Sequence, residues 1–145
     1  MVIWMDEREK AILAIDPGKD KCGLAIVNYS LLVLSKKIVD RIELQSYLSQ
    51  LINIYDIREI IIGDGTFYNE VLKEIKGITD IPVKIVDEAY TTMEAEKRYW
   101  QEKGWLWKKL LFFIHWKPGR PLDDYVAVIL AERYLQNGQV DIIGI

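Results

Sequence analysis

Near the start of the chain, an apolar run stops abruptly at a carboxylate, a proline and a glycine. Residues 11–15 are all apolar, and Asp16, Pro17 and Gly18 follow them directly. A continuous apolar run of this length predicts a strand that is buried on both faces. Pro17 cannot donate to a strand ladder and Gly18 frees the backbone, so the strand should end there. Asp16 is therefore expected at the end of a buried strand, where open α/β sheets place their ligands.

The rest of the chain predicts a mixed α/β sheet. Strands over about 22–27 and 31–39 follow after short polar turns, which favour antiparallel neighbours. Predicted helices then alternate with predicted strands: helices over about 44–55, 68–75, 91–103 and 122–135, and strands over about 58–63 and 82–86. This order predicts three antiparallel strands extended by parallel strands, with helices on both faces. It is the element order of the ribonuclease H-like architecture, and we expect residues 1–145 to form a single domain.

Sequence signals mark both the start and the end of the third predicted helix. Thr91 is followed three residues later by Glu94, which is the spacing of a capping box. Gly104 is typical of the residue that follows a helix C-terminus. The pattern therefore predicts that this helix begins at Thr91 and ends at about Lys103.

Composition limits the class of protein. The net charge is −3, so binding to nucleic acid would need a local basic patch. The single cysteine, Cys22, rules out an internal disulfide and favours a thiol buried in the core. Charged residues interrupt any apolar stretch near the start, so no signal peptide is expected. No apolar run reaches the ~20 residues that are needed to span a bilayer. We expect a cytoplasmic protein that does not bind membranes.

Acidic residues fall at the ends of three predicted elements. Asp16 ends the first strand, Glu88 follows the last parallel strand, and Asp123 or Asp124 begins the final helix. Carboxylates that converge in one cleft repel each other unless cations neutralise them, and Mg²⁺ prefers such oxygen ligands. Two such ions can activate a water and stabilise the leaving oxygen of a phosphodiester. Each acid also has a simpler explanation, because aspartate is common in turns and at helix N-caps.

Three motifs resemble one known family. Residues 12–18, followed by 23–26, resemble the opening of RuvC-type Holliday junction resolvases and their YqgF relatives. Residues 86–96 are similar to a YqgF-family stretch of an acid pair, two hydroxyls and a helix start. Asp123, with the residues 127–135 that follow it, resembles the closing helix of that family. The motifs occur in the family's order and span nearly the whole chain.

The resemblance implies a divalent-metal-dependent endonuclease that uses Mg²⁺ or Mn²⁺ and acts on branched DNA or structured RNA. It implies Holliday junction resolution, as in DNA recombination, or processing of precursor ribosomal RNA. Matched by position, Asp16, Glu88 and Asp123 would be the catalytic and metal-binding acids, with Asp16 bridging the metals. Asp124 is held in reserve as a metal ligand, because a shift of one residue would exchange it with Asp123.

The chain departs from the family at two places. Gly63-Asp64-Gly65-Thr66 stands where the family commonly has Gly-Leu-Pro, which adds a fourth acid near the site. The turn after Gly18 is Lys19-Asp20-Lys21, where the family often has a threonine and two basic residues. Lys19 and Lys21 remain to contact phosphate, and the resemblance adds Thr91 and Thr92 as nucleic-acid-binding residues.

Residues 99–121 are rich in aromatic and basic side chains. From Lys97 to Arg120 there are seven cationic side chains and one acidic side chain, a net charge of +6. Interleaved aromatic and cationic residues can stack on bases and hold phosphates. The candidates for this contact are Lys108, Lys109, Lys117 and Arg120. A packed helix with a solvated lysine face, or a dimer surface, would explain the same pattern.

Two other functions are compatible with the predicted fold. A non-catalytic nucleic-acid-binding or scaffold domain would bind junctions or RNA without cleaving them. A phosphotransferase related to sugar kinases and actin would share the first-strand acid and glycine, but two such domains are normally needed to enclose a nucleotide. A homodimer is required only if the protein cuts a two-fold symmetric junction.

Overall fold

A computed structural model describes residues 7–89, 91–103, 121–137 and 141–143 of the chain. The elements follow the sequence in this order: β1 (Lys10–Asp16), β2 (Lys21–Asn28), β3 (Val33–Asp40), a 3₁₀ turn (Arg41–Glu43), α1 (Leu44–Ile54), β4 (Asp56–Gly63), α2 (Tyr68–Lys76), β5 (Val83–Val86), α3 (Thr91–Lys103), α4 (Asp123–Asn137) and β6 (Asp141–Ile143).

The described strands form one mixed sheet in the order β3-β2-β1-β4-β5-β6. β1, β2 and β3 are antiparallel neighbours, whereas β4 and β5 extend the sheet in parallel from β1. The predicted mixed sheet is therefore confirmed. β6, which pairs antiparallel with β5, was not predicted, because a three-residue strand carries too little pattern to be recognised.

Helices cover both faces of this sheet, as predicted. α1 and α2 pack on one face, where Leu13, Ile15 and Ile62 contribute to a buried cluster. α3 and α4 pack on the other face, against a second cluster that includes Ile12 and Ile61. Because alternate residues of β1 and β4 point to opposite faces and both faces are covered, residues 11–15 and 60–62 of these strands are all apolar and buried. None of the helices within the described ranges is long and apolar enough to cross a membrane.

The buried position predicted for Cys22 is confirmed, and burial raises the pKa of its thiol. The predicted start of α3 at Thr91 is also confirmed. The side chains of the expected capping box have other partners, however. The Thr91 hydroxyl donates to the Glu88 carbonyl at 2.7 Å, and Glu94 accepts a hydrogen bond from Arg133 at 2.6 Å.

The turn between β2 and β3 differs from the prediction, which began the third strand at Leu31. Leu31 has a φ of 66°, a left-handed conformation that disfavours a large side chain, and the strand begins at Val33. Asn28 closes the turn, because its Oδ1 accepts the backbone N–H groups of Ser30 and Leu32 at 3.0 and 2.9 Å. These hydrogen bonds to the Asn28 side chain hold the turn, so Leu31 and Leu32 lie outside the strand that the sequence pattern predicted for them.

We predict that Leu31→Asn stabilises the protein by about 1 kcal/mol, because asparagine tolerates the left-handed conformation much better than leucine does. Urea unfolding of the two proteins checks this. Leu32→Asn is the matched control, since Leu32 is also exposed but lies outside the left-handed region. A gain of equal size in both variants would show that loss of an exposed leucine, and not backbone strain, is the cause.

Candidate active site

The end of β1 meets the start of α4, and this contact brings Asp16 and Asp123 together. Asp16 is paired with Gly23 of β2 in the antiparallel register. A Cβ added at Gly23 would overlap the backbone carbonyl of Asp123. The absence of a side chain at Gly23 therefore lets the first turn of α4 lie directly on β2, beside the last residue of β1.

The two carboxyl groups share a hydrogen bond, which requires that one of them holds a proton. The pKa of Asp16 is raised from its ordinary value of 3.8 to about 8; burial is the largest cause, followed by the hydrogen bond and charge of Asp123 and then by the charge of Glu88. Without a cation at this position, the raised pKa of Asp16 favours a proton held between the two carboxyl groups near neutral pH. A bound cation would replace that proton, because it would stabilise the charged form of both groups.

Glu88 follows β5 at the same edge of the sheet. Its backbone N–H donates to Asp64 Oδ1 at 3.1 Å. Its carboxylate lies over Gly63 and Gly65, where a Cβ on either glycine would overlap it. Burial is the main cause that raises the pKa of Glu88, followed by the charges of Asp64 and Asp87. The segment Gly63-Asp64-Gly65, where the chain departs from the family pattern, thus packs directly against Glu88.

The donor chemistry of these groups fits a divalent cation, although their positions do so only in part. Glu88 Oε2 is buried and has no hydrogen-bond partner among the described residues, which is an unusual state for a carboxylate oxygen. Asp16 and Asp123 supply two further hard oxygen ligands. Within the described ranges, however, no three His, Cys, Asp or Glu side chains lie close enough together to hold one ion. Asp16 and Asp123 form the assembled pair, and Glu88 acts on Asp16 by its charge.

Asp124 has a different environment from Asp123. It is 5% exposed, and its Oδ2 lies 3.3 Å from Lys36 Nζ of β3. Its Oδ1 accepts the backbone N–H of Tyr125 at 3.0 Å. Of the two adjacent acids, it is Asp123 that contacts Asp16. The residue pattern alone left both acids open, because either can begin a helix, whereas the family resemblance favoured Asp123.

The predicted nucleic-acid-binding residues lie in several places. Lys19 is exposed on the turn between β1 and β2, and Lys21 is exposed at the start of β2, at the same end of the sheet as Asp16. Thr91 is 3% exposed, and its hydroxyl donates to the Glu88 carbonyl, so it orders the loop that carries Glu88; its contact with nucleic acid stays a prediction. Thr92 belongs to the first turn of α3. The remaining candidates lie outside the described residues: Lys108, Lys109, Lys117 and Arg120.

Two residues near the site were missed by sequence reasoning. Arg41 donates to the Lys19 carbonyl at 3.4 Å and to Glu74 Oε1, so it supports the turn that carries Lys19. Lys36 pairs with Asp124 across 88 residues of sequence. A lysine on an edge strand is usually solvated, so neither position gave a signal in the sequence.

Curated relatives of the chain share one name. A protein from Dictyoglomus turgidum is 34% identical over 101 residues, which cover 59% of this chain and 72% of the relative. A protein from Dictyoglomus thermophilum is 30% identical over 145 residues, which cover 90% of this chain and 98% of the relative. Both are named "Putative pre-16S rRNA nuclease". No protein-family profile matches the chain.

Solved structures of RuvC share its fold. Thermus thermophilus RuvC in complex with a Holliday junction substrate matches with a TM-score of 0.54 at 13% identity, over 92% of this chain and 99% of RuvC. A second Thermus thermophilus RuvC structure matches with a TM-score of 0.54 at 12% identity, over 90% and 98%. At these identities the likeness shows the fold alone, which is ribonuclease H-like.

The fold is that of the ribonuclease H-like class. The two relatives narrow this class, since one of them aligns with nearly its whole length. The chain belongs to the YqgF-like nuclease family, the group related to RuvC resolvases that the sequence motifs predicted. It is a nuclease of the RuvC/YqgF type, a class in which divalent metal use is general.

We predict that Asp16→Asn stabilises the metal-free protein at pH about 8 and has much less effect at pH about 4. The folded pKa of Asp16 lies above its ordinary value, so the folded protein loses stability as the pH rises between 3.8 and about 8. Asparagine does not ionise and removes this loss. Thermal unfolding in EDTA at both pH values checks it, with Asp20→Asn as the exposed control. An unchanged pH dependence in Asp16→Asn would contradict the shared proton.

Proposed function

We propose that the chain hydrolyses phosphodiester bonds in structured RNA, with Mg²⁺ or Mn²⁺ as its cofactor. The observation that supports this most is the shared hydrogen bond between Asp16 and Asp123 at the end of β1. Two carboxyl groups that must share a proton are poised to exchange it for a cation. The proposed unit is a single nuclease domain over residues 1–145.

In this proposal Asp16, Glu88 and Asp123 hold the metal. A bound divalent cation in such a site activates water and stabilises charge on the phosphate oxygens. Asp16 and Asp123 are already in contact, and Glu88 would join them with its unpartnered Oε2. Asp124 is left out of the ligand set, because it is ion-paired with Lys36.

Other side chains of this edge would hold the nucleic acid. Lys19 and Lys21 are exposed beside Asp16 and would contact phosphates on one side of the cleaved bond. The Arg41 contact would fix the turn that carries them. The lysines and arginine of the aromatic basic segment, 108–120, would extend this contact along the substrate.

RNA is favoured over branched DNA as the substrate because this chain is more similar in sequence to the relatives named for precursor 16S rRNA than to RuvC. The relatives named for precursor 16S rRNA are 34% and 30% identical to this chain, whereas RuvC bound to a junction is 13% identical. Trimming of a ribosomal precursor would place the protein in the cytoplasm and does not require a dimer. A homodimer would be expected only if four-way DNA junctions are the substrate.

We predict that Asp16→Asn and Asp123→Asn each reduce metal-dependent cleavage to background while the protein stays folded. The assay compares structured RNA with single-stranded tails, duplex DNA and four-way junction DNA, in Mg²⁺ and in Mn²⁺. Circular dichroism confirms folding of each variant. Preferred cleavage of the RNA is the expected result.

The matched controls are the neighbouring acids. Asp20→Asn changes an exposed carboxylate in the turn beside the site and should keep nearly full activity. Asp124→Asn should retain measurable activity. Full cleavage by Asp16→Asn would refute the assignment of Asp16, and preferential cleavage of junction DNA would transfer the proposal to that substrate. Binding without cleavage under either metal would favour a scaffold role.

A further inference from the structure

Lys36 is an inward-facing cation on the edge strand of the sheet. In β3 it lies opposite Ala25 of β2, a residue of the buried cluster beneath α4. The side chain of Lys36 is about one-third exposed, whereas that of its partner Asp124 is 7% exposed. The ammonium group lies 3.3 Å from Asp124 Oδ2 and 4.2 Å from the centroid of the Tyr125 ring. Lys36 thus contacts two consecutive residues in the first turn of α4.

These contacts form part of a longer connection. The Tyr125 hydroxyl donates to Glu102 Oε2 of α3 at 2.5 Å, and the Tyr125 ring packs edge to face on Tyr99, with centroids 5.8 Å apart. The first turn of α4 is therefore held from β3 on one side and from α3 on the other. On the sheet side it rests on Gly23, next to Asp16. All three contacts are made by the helical turn that carries Asp123.

The ion pair also has an electrostatic consequence for the site. Asp124 follows Asp123 directly, so its carboxylate is a further acidic group close to the Asp16 and Asp123 pair. A buried carboxylate that loses its cation is costly, and it would turn toward any other cation within reach. Lys36 satisfies Asp124 on the β3 side and so keeps it from competing with Asp123.

We propose that Lys36 is a positioning residue for the nuclease reaction. Its ion pair with Asp124 and its contact with the Tyr125 ring hold the first turn of α4 so that Asp123, and not Asp124, faces Asp16. This inference rests on the proposed function, because it assumes that Asp16 and Asp123 bind the metal. Outer-shell partners of this kind typically change metal affinity by about 10–100-fold.

The adjacent lysine supplies a matched control. Lys37 follows Lys36 in β3 and points to the opposite face of the sheet, where its ammonium lies 4.6 Å from the centroid of the Tyr47 ring of α1. Lys37→Met removes the same charge and a similar cation–aromatic contact, but on the face away from α4. A general loss of charge or of strand stability would affect both variants alike.

The test measures Mn²⁺ binding by isothermal titration calorimetry for the wild type and for Lys36→Met, Lys36→Arg and Lys37→Met, beside RNA cleavage as a function of Mn²⁺ concentration. Lys36→Met should weaken Mn²⁺ binding about tenfold or more and raise the Mn²⁺ concentration needed for cleavage by a similar factor. Lys36→Arg should recover most of both. Lys37→Met should bind Mn²⁺ like the wild type.

Asp124→Asn measures the same ion pair from its other end, and it carries the test if Lys36→Met does not fold. It should weaken Mn²⁺ binding several-fold, far less than Asp123→Asn does, and in its background Lys36→Met should have a smaller effect than alone. Unchanged Mn²⁺ affinity in Lys36→Met, an equal loss in Lys37→Met, or complete loss of binding in Asp124→Asn would each overturn the proposal. A wild type that binds Mn²⁺ but cleaves no nucleic acid would refute the proposed function alone, since the binding data still test Lys36.

Discussion

The close approach of α4 to β2 at Gly23 is the constraint on which the site depends. Asp16 lies at the end of a strand that is buried on both faces, so its position is fixed by the core. Asp123 lies on α4, whose position relative to the sheet is not fixed by strand pairing. The missing side chain at Gly23 allows the backbone of the first turn of α4 to lie directly on β2, next to the end of β1. The shared carboxyl proton is a consequence of that contact.

The residues that support the site come from strands on both sides of β1. Gly63 and Gly65 leave room for the Glu88 carboxylate, and Asp64 holds the backbone of Glu88. On the other side of β1, Lys36 of β3 is ion-paired with Asp124 in the first turn of α4. Burial disfavours charge on Asp16 and Glu88 alike, and this is the main reason that their pKa values are raised. A divalent cation would relieve that cost.

The sequence predicted the sheet well because each central strand ends at a clear signal. The apolar run before Asp16 and the alternation of strands and helices after residue 40 fixed the element order. The errors have local causes: the side chain of Asn28 closes a turn around Leu31, and β6 is too short to form a pattern. At the site, the positions of Asp16, Glu88 and Asp123 at the ends of predicted elements indicated that they lie at the same end of the sheet. The ion pair that distinguishes Asp123 from Asp124 joins residues 88 positions apart, which no local pattern can reveal.

We propose that Asp16 and Asp123 together bind the metal of this nuclease. An anomalous difference map from a crystal of the wild-type protein soaked in Mn²⁺ tests this. We expect a manganese peak within bonding distance of both the Asp16 and the Asp123 carboxylates, with Asp124 still paired with Lys36. A manganese peak bound by Asp124 in place of Asp123, or no peak at the end of β1, would contradict it.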